Sequence, residues 1–375
     1  MKAAYIHSER FLAYRFGKEH PFNPLRLELA RSLMADMGLL FPREMILPRP
    51  ASQRLLRTVH SPQYVNIVRR LGQGEKMDAS LFGLGTEDNP VFPDMHRAGS
   101  LVVGATIRAC AIVARGLASH AVNLAGGLHH AHRACASGFC IYNDISVGIR
   151  LLRKHYRMRV AYVDLDAHHG DGVQWEFYDD PDVLTLSIHE SGRYLFPGSG
   201  GIHELGEGRG VGYSVNVPLE PFTDDESWIY CFDSVVPRLL SRFCPDIIVL
   251  QFGCDAHYLD PLSHLSLTST AFIHAARSIH QLSHRLCAGR LVVLGGGGYD
   301  IFSVVPRIWT LLWAELSDRI PTPDTPHDWR ARWRGISPVP LPVRLRDENT
   351  PKCQMPVYEV NRLTVARLLD SLHWL

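Results

Sequence analysis

"YVDLDAHHGDG", residues 162 to 172, sets three aspartates and two adjacent histidines at the end of a run that otherwise reads as a buried strand. Upstream, "RVAYV" is apolar with no polar alternation, the pattern of a strand covered on both faces. Downstream, "HHGDG" breaks that pattern with glycines. A buried parallel strand that ends in charge is the signature of an α/β sheet whose working residues lie beyond the strands' carboxyl ends.

Further apolar runs, each followed by turn residues, repeat the pattern: "AAYI" near 3, "AVNLAGG" at 121, "DVLTLSIHE" at 182, "DIIVLQFG" at 246 and "RLVVLGGGG" at 290. Helical patterns lie between most of them. Leu25, Leu29, Leu33 and Met37 follow an Asn23-Pro24 start, and "SPQYVNIVRRLG" follows a Ser61-Pro62 start. Further helices are predicted over 97 to 116, 145 to 157, 225 to 243, 270 to 287 and 302 to 316. Strand and helix alternate, so the expected fold class is α/β: a single domain with a mostly parallel central sheet and helices on both faces. That domain is expected over residues 1 to 320. Residues 321 to 356 carry eight prolines and lose periodicity, which predicts extended surface chain. A short amphipathic helix is expected to close the tail (321 to 375), with Val360, Leu363, Leu368 and Leu372 near one face, and the tail is expected to pack on or beside the domain.

Composition limits the partners. Of 375 residues 46% are apolar, enough for a sizeable core, and 39 basic against 38 acidic residues leave no long-range field to attract nucleic acid or an anionic membrane. Neither partner is expected. The start "MKAAYIHSERF" lacks a signal-peptide pattern, and Arg108 and Arg115 interrupt the apolar stretch around 101 to 128, so no membrane span is expected. Eight cysteines without a C-x-x-C predict reduced thiols and a cytoplasmic location. Cys135 and Cys140 read as small core residues.

Chemistry collects at the predicted strand ends. The 121 strand runs into His129 and His130, the 159 strand into Asp164, Asp166, His168 and Asp171, the 246 strand into Asp255, and the 290 strand into four glycines and Tyr299. Residues 164, 166 and 168 share parity, so in extended chain their side chains project from one face. Carboxylates this close repel one another and are costly to bury, and a cation is their natural compensation. Asp166 and His168 supply two ligands and Asp255 a third, which leaves positions open for water and substrate, as in a catalytic zinc site. Nitrogen and oxygen ligands without thiolate also admit Fe2+, Co2+ or Mn2+. His129 and His130, facing such a site, suit proton transfer, with Asp164 and Asp171 free to orient them. "GGGGYD" lacks the spacing of a nucleotide-binding loop; its glycines let backbone approach a substrate and bring the Tyr299 phenol over the metal.

These residues resemble one family, the zinc-dependent histone deacetylases, and within it the bacterial acetoin-utilisation-type deacetylases. The resemblance spans roughly residues 1 to 316 and rests, in order, on "GGLHHAH", "SGFCIYND", "VDLDAHHGDGVQ", "FPGSG", "YSVNVPL", "LQFGCDAHYLDPLSHLSLT" and "LGGGGYD". It implies an arginase-like α/β fold with Zn2+ on Asp166, His168 and Asp255. It also implies His130 as general base and acid, His129 as its electrostatic neighbour, Tyr299 as carbonyl polariser, and Asp164 and Asp171 as histidine partners. Phe139 and Phe196 match the aromatic walls of an acyl-lysine tunnel, Gly138 and Leu262 its lining, and Asp88 in "GLGTEDNP" a rim aspartate that holds the substrate backbone. A potassium ion (K+) is implied beneath the zinc, at Asp164, Ser187 and the backbone of Asp166, His168 and Ile188.

The expected function is therefore a metal-dependent amide hydrolase that removes acetyl or related acyl groups from a lysine of a protein or from a small acylated amine, such as an acetylpolyamine. Two rivals remain. A two-manganese ureohydrolase shares the implied fold but needs more bridging carboxylates. A non-catalytic acyl-lysine or metal-binding module would be marked by loss of a ligand, of His130 or of Tyr299, and none is lost.

Overall fold

The computed structural model describes residues 2–349, 351, 352 and 354–372; Cys353 lies outside them. Eight strands form one sheet: β1 (Ala3–Ile6), β2 (Met45–Ile46), β3 (His120–Asn123), β4 (Val160–Asp164), β5 (Val183–Glu190), β6 (Ser214–Leu219), β7 (Ile247–Gln251) and β8 (Leu291–Leu294). Every pairing is parallel, in the order β2-β1-β3-β8-β7-β4-β5-β6. The helices are α1 (Leu25–Asp36), α2 (Gln53–Leu56), α3 (Pro62–Gly72), α4 (Met95–Ala114), α5 (Asp144–Tyr156), α6 (Asp171–Glu176), α7 (Asp225–Phe243), α8 (Ser269–Cys287), α9 (Val305–Leu316), α10 (His327–Trp333) and α11 (Met355–Ser371).

The strands are apolar runs because both sheet faces are covered. Val160, Ala161, Tyr162 and Val163 are all at most 1% exposed although successive side chains point to opposite faces. Burying a side chain of this size contributes about 1.5–3 kcal/mol. The predicted helix starts recur in the structure. Ser61 accepts from the Tyr64 amide with Pro62 in the first turn of α3, and Asp224 caps α7 by accepting from the Ser227 amide. Among the described residues one helix, α4, is long and apolar enough to cross a membrane, and most of it is buried inside the body.

The structure departs from the sequence reading in four places. Strands β2 and β6 were not expected; β2 is only two residues long, and β6 holds a proline at the sheet edge, where a missing donor is tolerated. The strand carrying the aspartates stops at Asp164, so the parity argument ends there: Asp166 and His168 stand in the loop that follows. The tail is not merely extended chain. Trp329 of α10 is fully buried and its indole donates to the Leu29 carbonyl (3.2 Å) and to Ser32 Oγ (3.2 Å). The buried face of α11 holds Asn361, Val365 and Leu368, followed by Leu372, while Val360 and Leu363 are exposed. Asn361 won an inward position because its amide is saturated: Nδ2 donates to Thr223 Oγ1 (2.8 Å) and Ser227 Oγ (2.9 Å), and Oδ1 accepts from the Glu220 amide (3.0 Å). Cys135, expected in the core, is half-buried, whereas Cys140 is buried.

Candidate active site and metal centre

Four neighbouring strands end level with one another: Asn123 of β3 pairs with Leu294 of β8, Leu294 with Gln251 of β7, and Gln251 with Asp164 of β4. The loops that leave these four ends carry His129 and His130, the glycine run and Tyr299, Asp255, and Asp166 to Asp171. Sequence order scatters these groups; strand order brings them together.

The histidine loop is held from below. Buried Asp144, at the start of α5, accepts from the amides of Gly127 (3.1 Å) and Leu128 (2.8 Å). The adjacent Asn143 donates Nδ2 to the carbonyls of His129 (3.3 Å) and Ala131 (3.0 Å). Both imidazoles are thereby aimed at carboxylates, with Nδ1 of His129 on Asp164 Oδ2 (2.9 Å) and Nδ1 of His130 on Asp171 Oδ1 (2.8 Å).

The two rings differ in charge. Burial would push both pKa values down. For His129 the carboxylates of Asp164 and Asp166 overcome it and raise the ring to about 9. For His130 burial prevails, helped by the charge on His129, and lowers it to about 3 despite the Asp171 bond. In the metal-free protein at neutral pH, His130 keeps a free lone pair beside a protonated His129. Asp171 is held below the usual carboxylate range: its burial is outweighed by hydrogen bonds from His130 and His132.

Asp166, His168 and Asp255 place one ligand atom each within 4.8 Å of one another, all three buried. His168 Nδ1 lies 2.9 Å from Asp255 Oδ2 and 3.3 Å from Asp166 Oδ1. Those spacings match the edges of a tetrahedron about 3.3 Å long, which ligands at 2.0–2.1 Å from one ion define. The free oxygens are occupied, with Asp166 Oδ2 accepting from the Gly297 amide (2.6 Å) and Asp255 Oδ1 from the Ala167 amide (3.0 Å). Without a cation the pair of buried carboxylates is compensated by the protons of His168 and His129: burial and the charge of Asp166 push Asp255 up, and the carboxylates raise His168 to about 10 against its own burial. Two carboxylates, one imidazole and an open side fit a divalent metal.

A 250 Å³ cavity leads to this centre, lined by Asp88, His130, Gly138, Phe139, His168, Leu195, Phe196, Leu262 and Tyr299. Phe196 packs against His130 (centroids 4.9 Å apart) and Phe139 against Tyr299 (5.8 Å). Gly138 has φ +49°, and a Cβ there would overlap the His130 and Phe196 rings, so glycine is required. Asp88 is exposed at the rim. Tyr299 is positioned through its amide, which donates to Asp260 (2.7 Å), and burial keeps its phenol protonated by raising its pKa well above the usual value. Ser187 of β5 pairs with Asp164 and precedes Ile188, so the potassium candidates border the metal loop from one side.

Several supporting groups escaped the sequence reading. His132 Nε2 shares Asp171 (3.2 Å), Tyr162 donates to Asp164 (2.6 Å), Gln251 donates to the Gly127 carbonyl (2.9 Å), and buried Arg26 donates to the Gly298 carbonyl (2.9 Å). His132 alone had a local signal, two residues after His130 in "HHAH".

The chain belongs to the histone deacetylase family, whose domain model matches residues 20–316. Its class is thus that of the metal-dependent deacetylases. Over nearly its whole length it is similar to the acetoin utilization protein AcuC of Bacillus subtilis (strain 168), with 45% identity covering 99% of this chain and 97% of that protein. AcuC of Staphylococcus aureus (strain MRSA252) is 42% identical over 92% of this chain and 90% of its own. A crystal structure of an HDAC homolog complexed with SAHA superposes with a TM-score of 0.90 at 31% identity, over 98% of this chain and 100% of that one. One of an HDAC homolog from Aquifex aeolicus gives 0.89.

Proposed function

We propose that this protein hydrolyses the amide of an acylated lysine or a similar acylated amine, with zinc on Asp166, His168 and Asp255 and potassium beneath it at Asp164, Ser187 and the backbone of Asp166, His168 and Ile188. The observation that carries the reading is the cavity, whose floor presents His130, His168 and Tyr299 while two phenyl rings form its walls. Apolar walls of this kind suit a linear methylene chain and exclude branched side chains.

A divalent metal at the centre supplies Lewis acidity toward the acyl oxygen and makes water a nucleophile at neutral pH. His130, neutral and with Nδ1 committed to Asp171, takes a proton from the attacking water on Nε2 and returns it to the leaving amine. His129 is its electrostatic neighbour. The Tyr299 hydroxyl donates to the oxyanion as it develops. Asp88 at the rim accepts from the substrate backbone. The products are a carboxylate, such as acetate, and the free amine.

Turnover of an acetyl-lysine peptide, an acetylpolyamine and arginine by the zinc-loaded protein tests this directly. Release of acetate from at least one acetylated amine, inhibited by a hydroxamate, is expected. Urea from arginine, or no turnover of any acylated amine, overturns the proposal.

A further inference from the structure

Among the described residues a second group has metal-ligand geometry, at the opposite end of the sheet: His120, the first residue of β3, with His280 and His284 of α8. One nitrogen of each lies within 4.8 Å of the others. The histidines of α8 are spaced i, i+4 and so share a helix face. Their Nε2 atoms stand 3.2 Å apart, close to the roughly 3.3 Å between two imidazole nitrogens on one tetrahedral zinc.

His120 is the informative member. It is fully buried, and neither of its ring nitrogens has a partner in good hydrogen-bond geometry, the Gly289 backbone making only a weak contact with the ring. An unsatisfied buried polar group costs about 1–3 kcal/mol. The ring stacks edge-on against both other imidazoles, with centroids 4.7 Å from His280 and 5.2 Å from His284.

The surroundings fit a ligand set. His280 is oriented through Nδ1 by Glu315 Oε1 at 3.0 Å, the carboxylate–histidine pairing that fixes the orientation of a metal-ligating ring. Lys2, the nearby cation, is paired with Asp318, and Arg277 faces Glu315 at 3.7 Å. Gly289, at φ +77°, leaves space that the His284 ring fills; a Cβ there would press on the imidazole. His284 is exposed, so a fourth position opens to solvent.

We propose that His120, His280 and His284 form a second metal site, selective for an imidazole-preferring divalent ion such as zinc, that ties the start of β3 to α8. Three imidazoles and no thiolate or ligating carboxylate favour Zn2+, Cu2+ or Ni2+ over Mg2+ or Ca2+. Its role is structural, since it stands at the end of the sheet away from the acyl-binding cavity.

Equilibrium dialysis of the full-length protein against buffered zinc, with metal counted by atomic emission, tests the site. Two equivalents per chain are expected. His284→Ala, an exposed change that α8 tolerates, should retain one equivalent and full deacetylase activity. Asp255→Ala should also retain one and lose activity, and zinc should still raise its melting temperature. One equivalent in the parent, or two in His284→Ala, overturns the proposal, and neither result touches the catalytic assignment.

Discussion

At the scale of single residues the site separates groups that look alike. His129 and His130 are adjacent, yet the first is held charged and the second neutral, because two carboxylates face His129 while His130 answers to one already shared with His132. His130→Ala should therefore remove the proton shuttle and lower kcat by roughly 100- to 10,000-fold. His129→Ala should leave more residual activity, and both variants should keep their zinc. Equal losses in steady-state kinetics would mean that the two rings act as one unit. Tyr299→Phe deletes one hydroxyl with the ring packing preserved. Its loss should fall on kcat rather than on affinity, by roughly 100- to 1,000-fold, since an oxyanion donor acts mainly in the transition state. A variant that kept half of parental kcat would leave Tyr299 with only a packing role.

At the scale of elements the tail is a clamp on the active-site loops. Asp347 pairs with buried Arg307 of α9 (2.9 Å), accepts from His257 Nε2 (3.1 Å) and from the Ser269 amide at the start of α8 (2.8 Å). His257 stands in the same loop as Asp255. Burial would raise the Asp347 pKa, but the His257 hydrogen bond and the charges of His257 and Arg307 hold it well below the carboxylate range. Asp347→Ala leaves Arg307 buried without its partner, a change that costs about 3–5 kcal/mol in other buried pairs. Urea denaturation should show a loss of that order, and a loss under about 1 kcal/mol would deny the clamp. The sequence reading missed this because a proline-rich stretch has no periodicity to mark which of its side chains turns inward.

At the scale of the whole molecule the metal centre couples folding to pH with opposite signs in its two forms. His168 and His129 are raised, in the metal-free protein, to about 10 and about 9. A raised folded-state pKa contributes stability that is complete below the unfolded value near 6.5 and is lost as pH rises through the folded value. Melting temperature of chelated protein should thus fall between pH 7 and 10. Zinc needs His168 unprotonated, so its uptake at pH 7 should release a proton, and the stabilisation it adds should grow with pH. Melts across this range with chelator and with zinc, plus calorimetry in buffers of different ionisation enthalpy, check both signs. Proton release of zero would remove His168 from the ligand set.

The amino-acid sequence by itself determined six of the eight described strands, the major helices and the identity of the reactive groups. Those features are local: unbroken apolar runs, proline and serine starts, and charge where a buried strand stops. Tertiary structure decided the rest. That β8 and β7 insert between β3 and β4 is a matter of strand order, which no local pattern encodes, and it alone makes four distant loops share one cavity. Asp166 and His168 converge through a bent loop rather than through strand parity. The inward turn of Asn361 in place of Val360 and Leu363 depended on partners in another part of the chain, since a buried amide is tolerated only where donors and acceptors wait for it. His120 stands just before the strand run that begins at residue 121, and only folding sets it beside buried His280 and exposed His284 of α8.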